Sequence, residues 1–139
     1  MQTATVQWLR DEKFEARTPS GHQLDLDSDR ESNSGPGPME LLLVALGSCT
    51  ATDIVIILKK KRQMLESLEV IVSGERAEEP PRVWTHIEVV FRVHGKNAEG
   101  GELEQKAVAD AVRLSEEKYC SVAAMLNKTA RITMRFEIV

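Results

Sequence analysis

Two cysteines are the residues of this chain best suited to redox chemistry. Cys49 lies in the apolar run "GPMELLLVALGSCTATD", directly after Gly47 and Ser48, and Cys120 follows "EEKY" at the start of "CSVAAML". In a reducing compartment, a cysteine pair is more often catalytic or redox-active than structural. The two cysteines are too far apart to form a C-x-x-C motif. They predict paired thiol chemistry only if the fold makes them neighbours.

Each cysteine also has its own local setting. Free cysteine is among the most buried residue types, and a small side chain beside Gly47 allows close packing, so a purely structural Cys49 is the alternative to a reactive one. Cys120 is predicted at a helix N-terminus. The partial positive charge there lowers the pKa of a thiol, so the position predicts a thiolate-prone Cys120.

A long apolar helix is predicted around the first cysteine. Pro38 suits a first helical turn, and Glu40 suits the positive end of the helix dipole. Apolar residues cover nearly the whole circumference of Leu41–Leu58, so we expect this helix in the middle of the protein. Asp53 interrupts the run, and an aspartate is costly at a bilayer centre. The pattern therefore favours a core helix over a membrane span, and it predicts that Asp53 hydrogen-bonds or pairs with a neighbour.

The remaining elements define a fold class. Period-two alternation and turn residues predict strands at residues 4–9, 13–18 and 22–27 before the helix, and at residues 68–72, 83–95 and 130–139 after it. A polar loop is predicted at residues 28–38, an amphipathic helix at 102–119 and a short helix at 120–128. This order predicts a single α+β domain over residues 1–139, with a mainly antiparallel sheet wrapped on the apolar helix.

Composition excludes several kinds of partner. The chain has 139 residues and a net charge of −4, so it carries no global basic footprint for nucleic acid or an anionic membrane. "MQTATVQWLRDEK" lacks an apolar core segment, which predicts no secretory signal and a cytoplasmic location. His86 and His94 are too widely spaced for a zinc site, so no metal is predicted.

Two segments together carry a family resemblance. "GPGPMELLLVALGSCTATDIVIILKK", followed much later by "EEKYCSVAAMLNKTARI", resembles the OsmC/Ohr family, named for osmotic induction and organic hydroperoxide resistance. The opening "PMELLL" and the ending "ILKK" are similar to its YhfA-like branch. The resemblance covers nearly the whole chain, including the order of strands and helices.

The resemblance implies a fold, an assembly and an activity. Family members are intertwined homodimers with a mixed sheet against two long central helices and active sites at the subunit interface. Characterised members reduce organic hydroperoxides as an antioxidant response to oxidative stress. By this resemblance, Cys49 attacks the peroxide and becomes a sulfenic acid, and Cys120 resolves it to a disulfide. A dithiol such as a lipoylated protein then restores the enzyme, and no metal or bound cofactor is needed.

This sequence departs from the family pattern near the helix start. In the characterised peroxidases, a glutamate follows the proline that opens the central helix and, with an arginine from an N-terminal loop, activates the first cysteine. Here Met39 takes that position and Glu40 comes one residue later, about 100° further round the helix. Arg17 and Arg30 are the candidates for the arginine, and Tyr119 is a candidate pocket residue. Without a nearby cation, a buried cysteine stays a thiol.

Two functions therefore stay open at this point. The leading hypothesis is a cytosolic, homodimeric, thiol-dependent hydroperoxide reductase with Cys49 as the peroxidatic and Cys120 as the resolving residue. The alternative is an OsmC-like protein with weak or no peroxidase activity that binds a small apolar ligand at the dimer interface. The shifted acid favours the alternative, and the presence of both cysteines favours the enzyme.

Overall fold

A computed structural model describes all 139 residues and confirms the predicted mixed α+β class. The elements in chain order are β1 (Thr5–Arg10), β2 (Lys13–Arg17), β3 (Gln23–Asp27), α1 (Pro38–Lys60), β4 (Met64–Arg76), β5 (Trp84–Lys96), α2 (Gln105–Leu114), a π-helical turn (Ser115–Tyr119), α3 (Ser121–Leu126) and β6 (Arg131–Ile138). The chain divides into two compact units, Met1–Leu42 and Leu43–Val139, with the boundary inside α1.

The first unit contains a three-stranded antiparallel meander in the order β1-β2-β3. Thr5 pairs with Arg17, and Lys13 pairs with Asp27, so both predicted hairpins form. Asp11 adopts a positive φ of 48° in the turn between β1 and β2. Aspartate tolerates this left-handed conformation better than most residues, which explains how so short a connection closes.

A buried carboxylate organises the loop that leads into α1. Asp27 is fully buried at the end of β3 and accepts hydrogen bonds from the hydroxyls of Ser32 (2.6 Å) and Ser34 (2.7 Å) and from the backbone N–H groups of Ser34 (3.0 Å) and Asp29 (2.9 Å). These donors stabilise the charged form, led by the Ser32 hydroxyl, and hold the pKa of Asp27 far below its usual range. The predicted polar loop is therefore ordered around one ionised side chain.

The second unit contains the sheet β4-β5-β6. β4 and β5 are antiparallel, and β5 and β6 are parallel, so the sheet is mixed as predicted. The core combines one face of β5 with apolar side chains of both long helices; its fully buried members include Leu46, Ile54, Leu58, Ile87, Val89, Phe91, Val93 and Val108. Gly47 lets α1 approach β4 closely, because a Cβ at this position would lie only 3.0 Å from Val72 Cγ2.

The burial of α1 differs from the expectation of a helix buried all round. Its buried residues are Leu46, Gly47, Thr50, Ile54, Ile57 and Leu58, whereas Val44 is 63% exposed and Val55 and Ile56 are also largely exposed. Within one chain, the second unit covers only one face of the helix. By length and composition, α1 is long and apolar enough to cross a membrane, a test that the core helices of soluble proteins also pass.

The Asp27 site predicts a specific dependence of stability on pH. Because the pKa of Asp27 is depressed in the folded state, its contribution is fully present above the unfolded-state pKa of about 4 and is lost as the pH falls below it. Asp27→Asn removes this titration. We expect the melting temperature of Asp27→Asn to be lower than that of wild type at neutral pH and to fall less steeply on acidification.

The exposed Asp25 on the same strand provides the control. Asp25→Asn should keep the acid sensitivity of wild type, as measured by thermal unfolding between neutral and acidic pH. Equal acid slopes for wild type and Asp27→Asn would contradict the assigned role of this carboxylate.

Candidate active site

Cys49 lies on α1 at the edge of the core, where it is not fully buried. Cys49 is partly buried and packs against the hydrophobic cluster, and the preceding residue, Ser48, is exposed. The hydroxyl of the neighbouring Thr50 is satisfied within the helix, because it donates to the Leu46 carbonyl at 2.9 Å. Cys49 is therefore a half-accessible thiol on a rigid helix.

The second cysteine is placed by an irregular turn. The helix predicted over residues 102–119 ends as α2 at Leu114 and continues as the π-helical turn Ser115–Tyr119. The Cys120 N–H donates to the Ser115 carbonyl at 3.0 Å, and Cys120 then becomes the N-cap of α3, as its sulfur accepts from the Ala123 N–H at 3.3 Å. The predicted position at a helix N-terminus is confirmed. Cys120 is only 3% exposed.

The fold makes the two cysteines neighbours. Both are free thiols that pack in the same hydrophobic cluster, and the Cys49 thiol lies close enough to raise the pKa of Cys120. The cysteines come from α1 and from the turn after α2, so only tertiary packing brings them together. A half-accessible thiol in contact with a buried one is an arrangement from which a disulfide can form.

The predicted lowering of the Cys120 pKa is wrong. Burial raises the pKa of Cys120 to about 12, and the neighbouring Cys49 thiol contributes to the same shift. The Ala123 N–H acts in the predicted direction, but it is the weaker effect. A helix terminus typically contributes 0.3–1 kcal/mol, which is less than about one pKa unit, whereas full burial shifts a pKa by up to about 3–5 units. Cys120 is therefore protonated in the resting state.

A polar link that the sequence did not single out lies beside the thiols. Asp53 follows Cys49 by one helical turn, and its Oδ2 accepts from the Ser115 hydroxyl at 2.8 Å. The predicted hydrogen bond of Asp53 is thus confirmed, with Ser115 as its partner. Ser115 is fully buried, on the apolar face of the helix that includes Val108 and Val112. The sequence does show a hydroxyl residue, Ser115, at a position of the helix where an apolar residue is expected. The helical pattern alone could not show that its partner is Asp53 on α1.

The predicted activating residues belong to the first unit. Arg30 lies near Glu40 at 3.6 Å and also donates to the carbonyls of Gly35 and Asp27. Arg17 pairs with Glu15 at 3.2 Å. Met39 is half-buried in the first turn of α1. Arg30 thus pairs with Glu40, the acid one residue after the family's glutamate position, and the activation of Cys49 by these residues stays a prediction.

A cavity of about 460 Å³ lies along α1 next to the Asp53 link. Its lining residues are Asp53, Ile56, Ile57, Lys60, Lys61, Leu114 and Tyr119. Tyr119 is 50% exposed, with the Lys118 ammonium 5.2 Å from its ring centre. The wall surface is mainly apolar, and Asp53, Lys60, Lys61 and Tyr119 add polar groups to it. The structure therefore places Tyr119, a predicted pocket residue, in a cavity wall.

The fold and the two thiols define a class of α+β protein with a paired-cysteine site, and comparison with known proteins identifies the family. Residues 31–135 match the family model described as OsmC-like protein, and the chain belongs to this family.

Individual relatives agree with this assignment. Protein YhfA of Escherichia coli K12 is 45% identical over 136 residues, covering 98% of this chain and 97% of the relative. A crystal structure of a hypothetical protein from Aquifex aeolicus VF5 has 32% identity and a TM-score of 0.86, covering 100% of this chain and 96% of the other. An organic hydroperoxide resistance protein, OsmC, from Legionella pneumophila shares the fold at 15% identity and a TM-score of 0.69, covering 99% and 97%.

The environments of the thiols predict unequal alkylation. The thiolate is the reactive species, and a thiol with a pKa of about 12 is almost entirely protonated at neutral pH. In the native protein, iodoacetamide should therefore modify Cys49 well before Cys120, as followed by peptide mass spectrometry. In denaturant the two rates should converge. Faster modification of Cys120 in the native protein would contradict the described burial.

Proposed function

We propose that this protein is a thiol-dependent reductase of organic hydroperoxides, with Cys49 as the attacking and Cys120 as the resolving residue. The observation that carries the proposal is that a partly buried thiol packs in the same cluster as a buried, protonated one. The peroxide must reach the attacking sulfur, which favours Cys49. The resolving sulfur needs only to reach its neighbour, and burial protects it from direct oxidation.

The proposed cycle balances without a metal or a bound cofactor. The Cys49 thiolate attacks the peroxide, the O–O bond breaks, and with one proton the products are the Cys49 sulfenic acid and an alcohol. The Cys120 sulfur then displaces the sulfenic oxygen as water, and a Cys49–Cys120 disulfide forms. An external dithiol, such as a dihydrolipoyl group on a protein, reduces this disulfide by two successive exchanges and becomes a disulfide itself.

Neither cysteine lines the cavity beside Asp53, but Asp53 lies one turn after Cys49 on α1, so the cavity supports an organic substrate near the thiol. Apolar walls favour an alkyl group by removing it from water, whereas hydrogen peroxide has no such group. With a dihydrolipoyl reductant, kcat/KM should be higher for an alkyl hydroperoxide than for hydrogen peroxide. Equal values would remove the support that the cavity lends to this substrate class.

The same cavity favours a second candidate function. A chain with Met39 at the family's glutamate position and an apolar cavity has the features of a protein that binds a small apolar ligand with weak or no peroxidase activity. Such a protein would bind an unreactive alkyl alcohol and consume no hydroperoxide. Turnover of an alkyl hydroperoxide therefore discriminates between the two functions.

We also propose that the protein is a cytoplasmic homodimer. Val44 is largely exposed on α1, and a groove of about 470 Å³ runs along the same region, lined by Leu43, Val44, Gly47, Ser48, Ala51, Leu68, Val70 and Val72. Covering this apolar surface with a second copy would remove it from water.

The dimer proposal predicts a specific effect of a charge in this groove. Val44→Asp should shift the protein to a monomer in sedimentation experiments at micromolar concentration, because an unpaired carboxylate is costly to bury. Met125 is also apolar and exposed but does not line the groove, so Met125→Asp should remain dimeric. A wild-type monomer at that concentration would contradict the proposal.

The two cysteine roles predict different failures of the serine variants. Cys49→Ser loses the nucleophile, since an alcohol is too weakly acidic to replace a thiolate at neutral pH, and peroxide consumption should vanish even in a single turnover. Cys120→Ser should still consume one equivalent and accumulate sulfenic acid at Cys49, followed by sulfinic acid in excess peroxide. Intact mass distinguishes these products.

The opposite pattern would reverse the assignment. Oxygen added at Cys120 in the Cys49→Ser variant, with an inert Cys120→Ser variant, would make Cys120 the attacking thiol. Absence of any reaction in wild type would favour the ligand-binding function.

A further inference from the structure

The turn before Cys120 has an unusual backbone. Ser115–Tyr119 forms a π-helical turn, and the Cys120 N–H donates to the Ser115 carbonyl at 3.0 Å. Such turns are rare and are frequent at functional sites. A regular continuation of α2 would present residue 120 in a different direction, so the place of the Cys120 sulfur depends on this turn.

Ser115 connects the turn to α1. Its backbone carbonyl accepts from Cys120, and its hydroxyl donates to Asp53 Oδ2 at 2.8 Å. Ser115 is fully buried. A hydrogen bond to a carboxylate is roughly twice as strong as a neutral one, and the burial of Ser115 limits competition from water on the side of the hydroxyl. One side chain therefore fixes the start of the π-helical turn to the helix that carries Cys49.

These contacts form a closed circuit. Cys49 and Asp53 lie one turn apart on α1, on roughly the same face. Asp53 binds Ser115, Ser115 binds Cys120, and Cys120 contacts Cys49. Because these four residues are connected in a ring, the Asp53–Ser115 hydrogen bond restricts how far Cys120 can move from Cys49. The Asp53–Ser115 hydrogen bond is the one side-chain link in it that does not involve a sulfur atom.

We propose that Asp53 and Ser115 are a pair of positioning residues that set the rate at which Cys120 attacks Cys49. The proposal rests on the proposed function, in which these cysteines form a disulfide. Disulfide geometry is narrow, with an S–S bond near 2.05 Å and a restricted dihedral angle, so small displacements of the turn matter. A well-oriented intramolecular partner reacts far faster than a loosely held one.

An aromatic disulfide reagent such as dithiodipyridine separates positioning from peroxide chemistry. Cys49 attacks the reagent, forms a mixed disulfide and releases one pyridinethione in a step that depends on reagent concentration. Cys120 then loses its proton to water and attacks the Cys49 sulfur, releasing a second pyridinethione and forming the Cys49–Cys120 disulfide. This second step is intramolecular and independent of reagent concentration, and both steps are followed by absorbance.

The variants should affect only the second step. Ser115→Ala and Asp53→Ala should slow it by about tenfold or more, the effect expected for loss of a hydrogen bond to a charged group, and leave the first step within about twofold of wild type. Asp53→Asn keeps an oxygen acceptor for the Ser115 hydroxyl and should stay within about threefold of wild type. The double alanine variant should be no slower than the slower single variant, because both remove the same bond.

Asp110→Ala provides the matched control. Asp110 of α2 pairs with Lys61, just after α1, at 3.3 Å, so this variant breaks another polar link between the two helical regions and leaves the π-helical turn intact. Both steps should be unchanged in it. Circular dichroism reports whether each variant is folded, and because Ser115→Ala and Asp53→Ala remove the same bond from opposite sides, either one that remains folded tests the proposal.

The outcomes separate the two proposals. An unchanged second step in folded Ser115→Ala or Asp53→Ala overturns the positioning role and leaves the two-cysteine function intact. If folded Asp53→Asn is slowed as much as Asp53→Ala, the charge controls the step, and the proposed hydrogen-bond role is overturned. If wild type lacks the intramolecular step, the two-cysteine function fails, and the positioning role fails with it.

Discussion

The contact between the Cys49 and Cys120 thiols is the interaction on which the candidate site depends. It joins α1 to the turn after α2, two segments that are distant in sequence. Both helices pack into one buried cluster, with Ile54 contributed by α1, Phe91 by β5 and Val108 by α2. Protein cores are close-packed, so this cluster allows the backbones little freedom to slide. The sheet and its core therefore contribute to the proposed chemistry by fixing the positions of the two thiols relative to each other.

Two opposing effects act on the pKa of Cys120, and the larger one decides its protonation state. The Ala123 N–H at the start of α3 favours the thiolate, whereas burial and the Cys49 thiol favour the neutral form and prevail. This outcome suits a resolving role better than an attacking one. A protonated, enclosed thiol resists direct oxidation but remains available to a neighbouring sulfur, and the half-accessible Cys49 is left to meet the substrate.

The main elements were predictable because their signals are local. The alternation on β5 specifies a strand and its inward face, and the apolar run of α1 specifies a long helix. Burial was less predictable: α1 is apolar all round, but one chain covers only one of its faces. The nearness of the two cysteines came from family resemblance, not from spacing. Ser115 was missed because its partner, Asp53, lies in a different part of the chain, and the π-helical turn has no periodic signature.

The two-cysteine cycle can be tested by the intact mass of the wild-type protein after one equivalent of an alkyl hydroperoxide, with the products mapped by non-reducing peptide analysis. A protein that follows this cycle loses the mass of two hydrogen atoms, forms one alcohol per peroxide consumed and yields a peptide pair cross-linked through Cys49 and Cys120. Unchanged protein with intact peroxide, or stable oxygen addition to one cysteine with no cross-link, would contradict it.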